Sequence, residues 1–245
     1  AEVVMISDSI YQESDGAFDI TVGPVIRAIG FGKDKTKGID SSKVKSMLPL
    51  IGMNQIRLEG LNLIKSNPLI QIDVNAVAQG YTVDVLALFL EMNGVKNYLV
   101  EVGGEITANG LNSKETPWVV GLDKPIEGAI PGENIQSKIY LTNRRGLATS
   151  GNYRKFIEVN GQKYSHTVNP KTGFPVLNSL LSATVIANSG ARADALATAF
   201  MVNGLDWSIN YIQTNTNVDA YLIYSDESGG YKVWISENLK NSIKE

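Results

Sequence analysis

Residues 191–202, ARADALATAFMV, are the stretch that decides the fold prediction. Alanine occupies every second position from 191 to 199, and alanine favours a helix more than any other residue. Asn203 and Gly204 follow, and a glycine just after the last turn is a common helix end. The stretch therefore predicts a helix whose small side chains allow another backbone or a ligand to approach closely.

The segments on either side of this helix are predicted to be a mixture of helices and strands. Asn75 is expected to cap one helix and Gly94 to end it, and the helices lie at 2–13, 41–49 and 76–92. Strands are expected at 69–74, 97–102, 118–122, 139–142, 219–224 and 231–235. Because no strict strand–helix–strand repeat is visible, the sequence predicts an α+β fold with mixed sheets packed against helices. We expect a single domain over residues 1–245.

A hairpin is predicted at 156–166, FIEVNGQKYSH, where an Asn-Gly pair separates two alternating runs. Such a pair is the strongest short-range hairpin signal, and it usually forms a two-residue turn. With that turn, Val159 lies opposite Gln162 in the neighbouring strand. His166 then lies at the end of the second strand, on the hairpin face that carries the apolar side chains.

Composition excludes several classes of function. The net charge is −3 and the Lys and Arg residues are scattered, so no nucleic-acid partner is expected. The chain has no cysteine and a single histidine, which excludes disulfides, thiolate metal sites and zinc sites built from several histidines. Any bound metal must therefore be held by oxygen atoms, which indicates Mg²⁺ or Ca²⁺. No apolar run approaches the roughly 20 residues of a membrane span.

A few polar residues are candidates for chemistry, and spacing alone leaves a structural alternative for each. Asp194 and Thr198 share one face of the predicted helix and can hold Mg²⁺ together. Alternatively, Asp194 interacts with the helix dipole and Thr198 with a backbone carbonyl. Asp73 lies between an apolar run and a predicted helix, as a ligand-binding acid or a helix cap does. His166 is either a general base or a structural histidine.

Taken together and in order, six motifs resemble the ApbE-type FAD:protein FMN transferase family. They are DGAFDITVGP at 15–24, IDVNAVAQGY at 72–81, VGG at 102–104, ATSGNY at 148–153, YSHTVNPKTG at 164–173 and ADALAT at 193–198. They extend over nearly the whole chain. The resemblance implies an ApbE-like, T-fold-like α+β architecture. Several dozen residues usual at the family's start have no counterpart before the first motif, so we expect a chain shortened at its N-terminus.

The resemblance also implies a set of site residues. The Mg²⁺ ligands would be Asp194, Thr198 and the backbone carbonyl of Ala76, and His166 matches the histidine that the family needs for transfer. The FAD contacts would be Ala17, Phe18, Asp19, Asp73, Gln79 and Val168. Three residues depart from the family pattern, and we expect them to alter affinity more than activity. Glutamine replaces the common lysine at Gln79, and asparagine replaces the common aspartate at Asn152 and Asn169.

The function implied is Mg²⁺-dependent transfer of the FMN moiety of FAD to a Thr or Ser hydroxyl of a target flavoprotein, with release of AMP. His166 would take the proton from the acceptor hydroxyl. The implied acceptors are subunits of membrane redox complexes or other flavinylated proteins. The implied location is extracytoplasmic, periplasmic or at the cell surface, with a lipid anchor on the full-length protein. Two alternatives are FAD hydrolysis to FMN and AMP, and a catalytically inactive flavin-binding module.

Overall fold

The computed structural model describes residues 1–31, 39–126, 128, 130, 132–152, 156–159, 162–165, 167–228 and 230–244. Its helices are α1 Glu2–Glu13, α2 Gly23–Ile26, α3 Ser41–Met47, α4 Ala78–Met92, α5 Gly190–Asn203 and α6 Leu205–Thr214. Short π or 3₁₀ segments lie at Arg27–Phe31, Leu48–Leu50, Met53–Gln55 and Glu237–Ser242. The strands are β1 Ile56–Glu59, β2 Asn62–Lys65, β3 Tyr98–Val102, β4 Glu105–Asn109, β5 Trp118–Asp123, β6 Ile135–Leu141, β7 Arg145–Gly151, β8 Phe156–Val159, β9 Gln162–Ser165, β10 Leu180–Ala187, β11 Asp219–Ser225, β12 Tyr231–Ile235 and β13 Ile243–Lys244.

The strands form two larger sheets and two hairpins. A six-stranded sheet has the order β12-β11-β10-β7-β4-β3, and a three-stranded sheet has the order β13-β6-β5. All of the described neighbouring strands are antiparallel. The predicted α+β class is therefore confirmed, because the chain combines helices with antiparallel sheets.

The six-stranded sheet has apolar side chains packed against both of its faces. On one face α5 contributes Leu196 and Phe200, both fully buried, to the larger core. Burying each such side chain contributes roughly 1.5–3 kcal/mol to folding. On the other face Leu147 of β7 packs with Val120 and Ile139 of the three-stranded sheet. The sheet is thus the middle layer, and this is why β10, LLSATVIA, is buried along nearly its whole length.

Two contacts fix α4 against α5 at close range. The carboxylate of Asp84 on α4 accepts hydrogen bonds from the first amides of α5, from Gly190 at 2.8 Å and from Ala191 at 2.9 Å. A carboxylate at this end also interacts favourably with the helix dipole. A Cβ atom added to Gly80 of α4 would lie 2.3 Å from the Gly190 carbonyl oxygen, so only glycine fits at this crossing. The alanine-rich sequence of α5 therefore allows the close approach that its composition predicts.

Several of the sequence predictions are confirmed and two are wrong. Helices occur near 2–13, 41–49, 76–92 and 191–202. The β8–β9 hairpin has the expected register, with Val159 opposite Gln162. No strand forms at 69–74, because the backbone bonds of this segment, such as those from Ile70 to Asn67 and from Asp73 to Ile20, form turns and an isolated link instead of a ladder. Asn75 is not the cap of α4, which begins after Val77 without a side-chain cap.

Among the residues that the structure describes, we find no helix with the length and apolar character needed to cross a bilayer.

Candidate active site

Asp194 of α5 is the centre of a buried polar site. Its side chain is 6 % exposed, and its Oδ2 atom accepts a hydrogen bond of 3.1 Å from the backbone amide of Gly80 in α4. It is the fifth residue of α5, beyond the first turn, so the dipole alternative does not describe its main contact. The close crossing of α4 and α5 places a main-chain donor against this carboxylate.

Ala76 supplies a second oxygen near this crossing. The amides of Val77 and Ala78 both donate to the carbonyl of Val74. The amide of Gly80, four residues after Ala76, donates to Asp194 rather than completing a helical bond back to Ala76. Within the described ranges no hydrogen bond ends on the Ala76 carbonyl. That oxygen is therefore available to a ligand at the start of α4.

Thr198 lies one turn after Asp194 and is partly buried. Its hydroxyl is 3.3 Å from the hydroxyl of Ser150 in β7. The neighbouring Thr149 points to the opposite face of the sheet and bonds to Thr184 at 2.8 Å. Sequence reasoning did not assign Ser150 to the site, although it belongs to the ATSGNY motif at 148–153.

Glu105 is a second buried carboxylate at this end of the sheet, and sequence reasoning missed it. It is 8 % exposed and begins β4 directly after the Gly103–Gly104 turn. Burial, together with the negative charge of Glu105, raises the pKa of Asp194 to about 7 from its ordinary value. Burial disfavours the ionised form, and a nearby like charge disfavours it further. A bound cation would reverse both effects and keep Asp194 ionised.

The donors present fit a magnesium ion. They are a carboxylate, a hydroxyl and a main-chain carbonyl, all oxygen atoms of the kind that Mg²⁺ binds together with water. In the described part of the chain, no group of three or more His, Cys, Asp or Glu residues is close enough to hold a metal. A site that Mg²⁺ shares with water and substrate phosphate needs no such cage of protein side chains. Asp194, Thr198 and Ala76 are the residues that would hold the ion.

The expected FAD contacts at 17–19 lie together with Asp73. Asp19 is buried, and its Oδ1 atom accepts bonds from the amide of Thr21 at 2.7 Å and from its hydroxyl at 2.6 Å. Burial raises the pKa of Asp19, which these hydrogen bonds partly counteract. Ala17 and Phe18 are also buried. The amide of Asp73 donates to the carbonyl of Ile20 at 2.7 Å, so the two motifs are adjacent in space.

Asp73 shapes a local turn but does not cap α4, so its structural alternative as a helix cap is wrong. Its Oδ1 atom accepts a bond of 3.0 Å from the amide of Asn75, which shapes the turn before α4. This carboxylate is only partly buried. One residue thus joins the 17–20 segment to the turn that carries Ala76.

The remaining predicted contacts are distributed around these two groups. Gln79 lies over the β3–β4 turn. The Nε2 atom of Gln79 is 1.7 Å from the position that a Cβ atom on Gly103 would take. The side chain of Val168 is buried in a separate apolar cluster with Val25 and Val44. His166 lies outside the described residues, and its role stays a prediction.

A cavity of about 460 Å³ opens on the opposite face of the sheet. It lies between the six-stranded and three-stranded sheets and is lined in part by Gly103, Glu105 and Thr149. Its volume is in the range of small-molecule pockets. Glu105 therefore lies at the boundary between this cavity and the Asp194 site.

Fold and site together define an α+β protein with a buried cluster of oxygen-bearing groups where two helices cross at one end of a sheet. A model of the ApbE family matches residues 1–222. The chain belongs to the ApbE family. The predicted resemblance is thus confirmed.

Curated relatives in this family carry the name FAD:protein FMN transferase. The one from Haemophilus influenzae is 34% identical over 235 aligned residues, which cover 94% of this chain and 67% of the relative. The one from Escherichia coli K12 is 34% identical over 251 aligned positions, covering 99% of this chain and 69% of the relative. The chain is accordingly a member of a family of enzymes.

Solved structures give the same result for the fold. The flavin transferase ApbE from Vibrio cholerae has a TM-score of 0.86 at 32% identity, covering 98% of this chain and 75% of that one. The apo form of the Pseudomonas stutzeri flavinyl transferase ApbE has a TM-score of 0.85 at 30% identity, covering 98% and 73%. The ApbE-like architecture expected from the motifs is therefore confirmed.

Proposed function

We propose that this chain transfers the FMN moiety of FAD to a Thr or Ser hydroxyl of a target flavoprotein, with Mg²⁺ as cofactor and AMP as leaving group. The observation that carries the proposal is the buried Asp194 carboxylate, held by the Gly80 amide one turn from Thr198. The names of the relatives support the same reaction. The donor set supports the cofactor, since FAD brings a pyrophosphate that a cation can neutralise.

The reaction replaces one phosphorus–oxygen bond by another. The acceptor hydroxyl oxygen forms a bond to the FMN phosphorus, while the bond from that phosphorus to the oxygen of AMP breaks. The bridging oxygen leaves with AMP as part of its phosphate. The hydroxyl proton goes to a base, for which His166 is our candidate, with a contribution of about 10²–10⁴-fold.

The described residues have separate tasks in this scheme. A bound Mg²⁺ ion supplies charge neutralisation at the phosphoryl oxygens, and Asp194, Thr198 and Ala76 would hold it. The 17–19 segment, with Asp73 beside it, would bind the flavin dinucleotide. The crossing of α4 and α5 buries Asp194, and burial strengthens its interaction with any cation.

We propose, in addition, that the acceptor is a subunit of a membrane redox complex or another flavinylated protein. The proposed location is extracytoplasmic, with a lipid anchor on the full-length protein. The family resemblance supports both statements. Cell fractionation followed by detection of protein-bound flavin tests them, and flavinylated acceptor found only in the cytoplasm would contradict the location.

The central experiment incubates the chain with FAD, Mg²⁺ and a Thr-containing acceptor protein, followed by mass spectrometry of the acceptor. We expect a mass gain equal to FMN that is lost in EDTA and in Asp194→Ala. The matched control is Asp206→Ala, which removes an exposed aspartate from the first turn of α6 and should leave labelling unchanged. Free FMN and AMP without labelled acceptor would replace transfer by FAD hydrolysis. Bound FAD without turnover would indicate a flavin-binding module.

A further inference from the structure

Glu105 has no role in the scheme above, although it is the second buried carboxylate at the site. It lies opposite Val102 in the β3–β4 ladder, where the Gly103–Gly104 turn connects the two strands. Its side chain is 8 % exposed. The β3–β4 turn thus holds a carboxylate largely away from solvent.

The chain of contacts around Gly103 connects Glu105 to Asp194. A Cβ atom on Gly103 would lie 1.7 Å from Gln79 Nε2 and 3.5 Å from Glu105 Oε2, so these two side chains flank the same turn. Gly80 follows Gln79 and donates its amide to Asp194 Oδ2 at 3.1 Å. Two buried carboxylates thus lie at one end of the sheet, around the first turn of α4.

Resting on the proposed function, we propose that Glu105 is a positioning residue for the cation that Asp194 and Thr198 hold. Its carboxylate accepts hydrogen bonds from water around the cation and adds to the negative field at the site. Mg²⁺ keeps several waters when it binds to proteins, and those waters need acceptors. Groups that orient ligands from outside the direct contacts of a metal are typically worth about 10–100-fold in affinity.

Cation binding is measured directly, with Mn²⁺ as an oxygen-preferring stand-in for Mg²⁺. The 245-residue chain is titrated in the presence of FAD, and the paramagnetic resonance signal of free Mn²⁺ gives the dissociation constant. We expect Glu105→Gln to weaken Mn²⁺ binding by about 10–100-fold. The matched control is Glu101→Gln, an exposed carboxylate on β3 that lines the same cavity, and it should change the constant less than about twofold.

The outcomes separate this proposal from the proposed function. A wild-type chain that binds no Mn²⁺ with FAD present overturns both. A wild-type chain that binds Mn²⁺, together with a Glu105→Gln variant of equal affinity, overturns only the role of Glu105. FAD affinity measured in EDTA tests for a packing role. This FAD affinity should be the same in wild type and Glu105→Gln. If Glu105→Gln weakens FAD binding in EDTA as much as it weakens Mn²⁺ binding, the positioning role is overturned.

Glu105→Asp keeps the inference testable if Glu105→Gln does not fold. It retains the charge but withdraws the carboxylate by one methylene group, so we expect cation affinity between those of wild type and Glu105→Gln. Suppose that Glu105→Gln does not fold. If Glu105→Asp then folds and binds Mn²⁺ as tightly as wild type, the position of the carboxylate does not matter and the proposal is overturned.

Discussion

Gly80→Ala is the substitution that tests most directly whether the α4–α5 crossing builds the site. The new Cβ atom would lie 2.3 Å from the Gly190 carbonyl oxygen and 2.8 Å from the Cβ of Asp194. To restore ordinary van der Waals separation, the two helices must move apart by about 1 Å. Overpacking of this kind typically costs about 1–3 kcal/mol, whereas alanine in place of glycine within a helix returns only about 1 kcal/mol. We therefore expect a net loss of stability.

The effect on activity should exceed the effect on stability. The shift lengthens the bond from the Gly80 amide to Asp194 and displaces the carboxylate by a similar distance, and a misplacement of about 1 Å can cost roughly 100-fold in rate. FMN transfer is measured by mass spectrometry, and unfolding by urea titration. The control is Thr82→Ala, an exposed position on the same helix. If Gly80→Ala folds and transfers FMN within about threefold of wild type, the crossing does not position Asp194, and this reasoning fails.

Two further predictions concern ion pairs that have no role in the proposed chemistry. Arg192 and hydrogen bonds lower the pKa of Glu13 to about 2, so the stability this group contributes is complete above its ordinary pKa and is lost as pH falls toward 2. Urea titrations between pH 5 and pH 2 should show that the free energy of unfolding falls less steeply with pH in Glu13→Gln than in wild type. Equal slopes of this free energy against pH would contradict the lowered pKa of Glu13. Arg145→Met should destabilise the chain by about 3–5 kcal/mol, because it leaves the buried Asp219, now 2.7 Å from Arg145, without its cationic partner. The rate of FMN transfer by the folded fraction should be unchanged. If the free energy of unfolding falls by less than about 1 kcal/mol, the estimate is refuted.

Local patterns predicted those elements whose signals are local. Residues 191–202 form α5 because the alanines and the following Gly204 act within one helix. The β8–β9 register follows from a two-residue turn. Strand β10 was not predicted because it is buried on both faces and shows no alternation of apolar and polar residues. The opposite error occurs at 69–74, where the apolar run predicted a strand that does not form. An apolar run without a neighbouring strand forms no ladder.

The apolar pattern of α4 also shows where sequence reasoning stops. Val85, Leu88 and Met92 recur at helical spacing, which usually indicates a buried face. In the structure these side chains are 46%, 52% and 79% exposed, while Val83 and Ala87 are fully buried. The helix follows from this spacing, whereas the face that packs inward does not. Which face packs inward depends on Asp84 and on the close approach to α5, and both are long-range contacts.

The same long-range contacts explain why the site was only partly predictable. Asp194 and Thr198 could be paired from their spacing, because one helix carries both. The Gly80 amide and the Glu105 carboxylate could not, since they lie at this end of the sheet only when α4 and the β3–β4 turn are in place. Residue type gives no signal for a main-chain donor. A glycine in a helix is at most an indirect sign that another backbone passes nearby.

The site and the helix crossing therefore depend on the same residues, and this has a consequence for how mutations act. Among the described residues, the hydrogen bonds of Asp84 go to Thr107, Gly190 and Ala191 and to no proposed FAD contact, yet Asp84 fixes the start of α5 through the last two. Releasing that end would change the angle at which α5 presents Asp194 to Gly80. Loss of stability and loss of cation binding should accordingly rise together along α4 and α5. Substitutions in the three-stranded sheet, on the far side of the cavity, should instead reduce stability without this coupling, because they act through a different core.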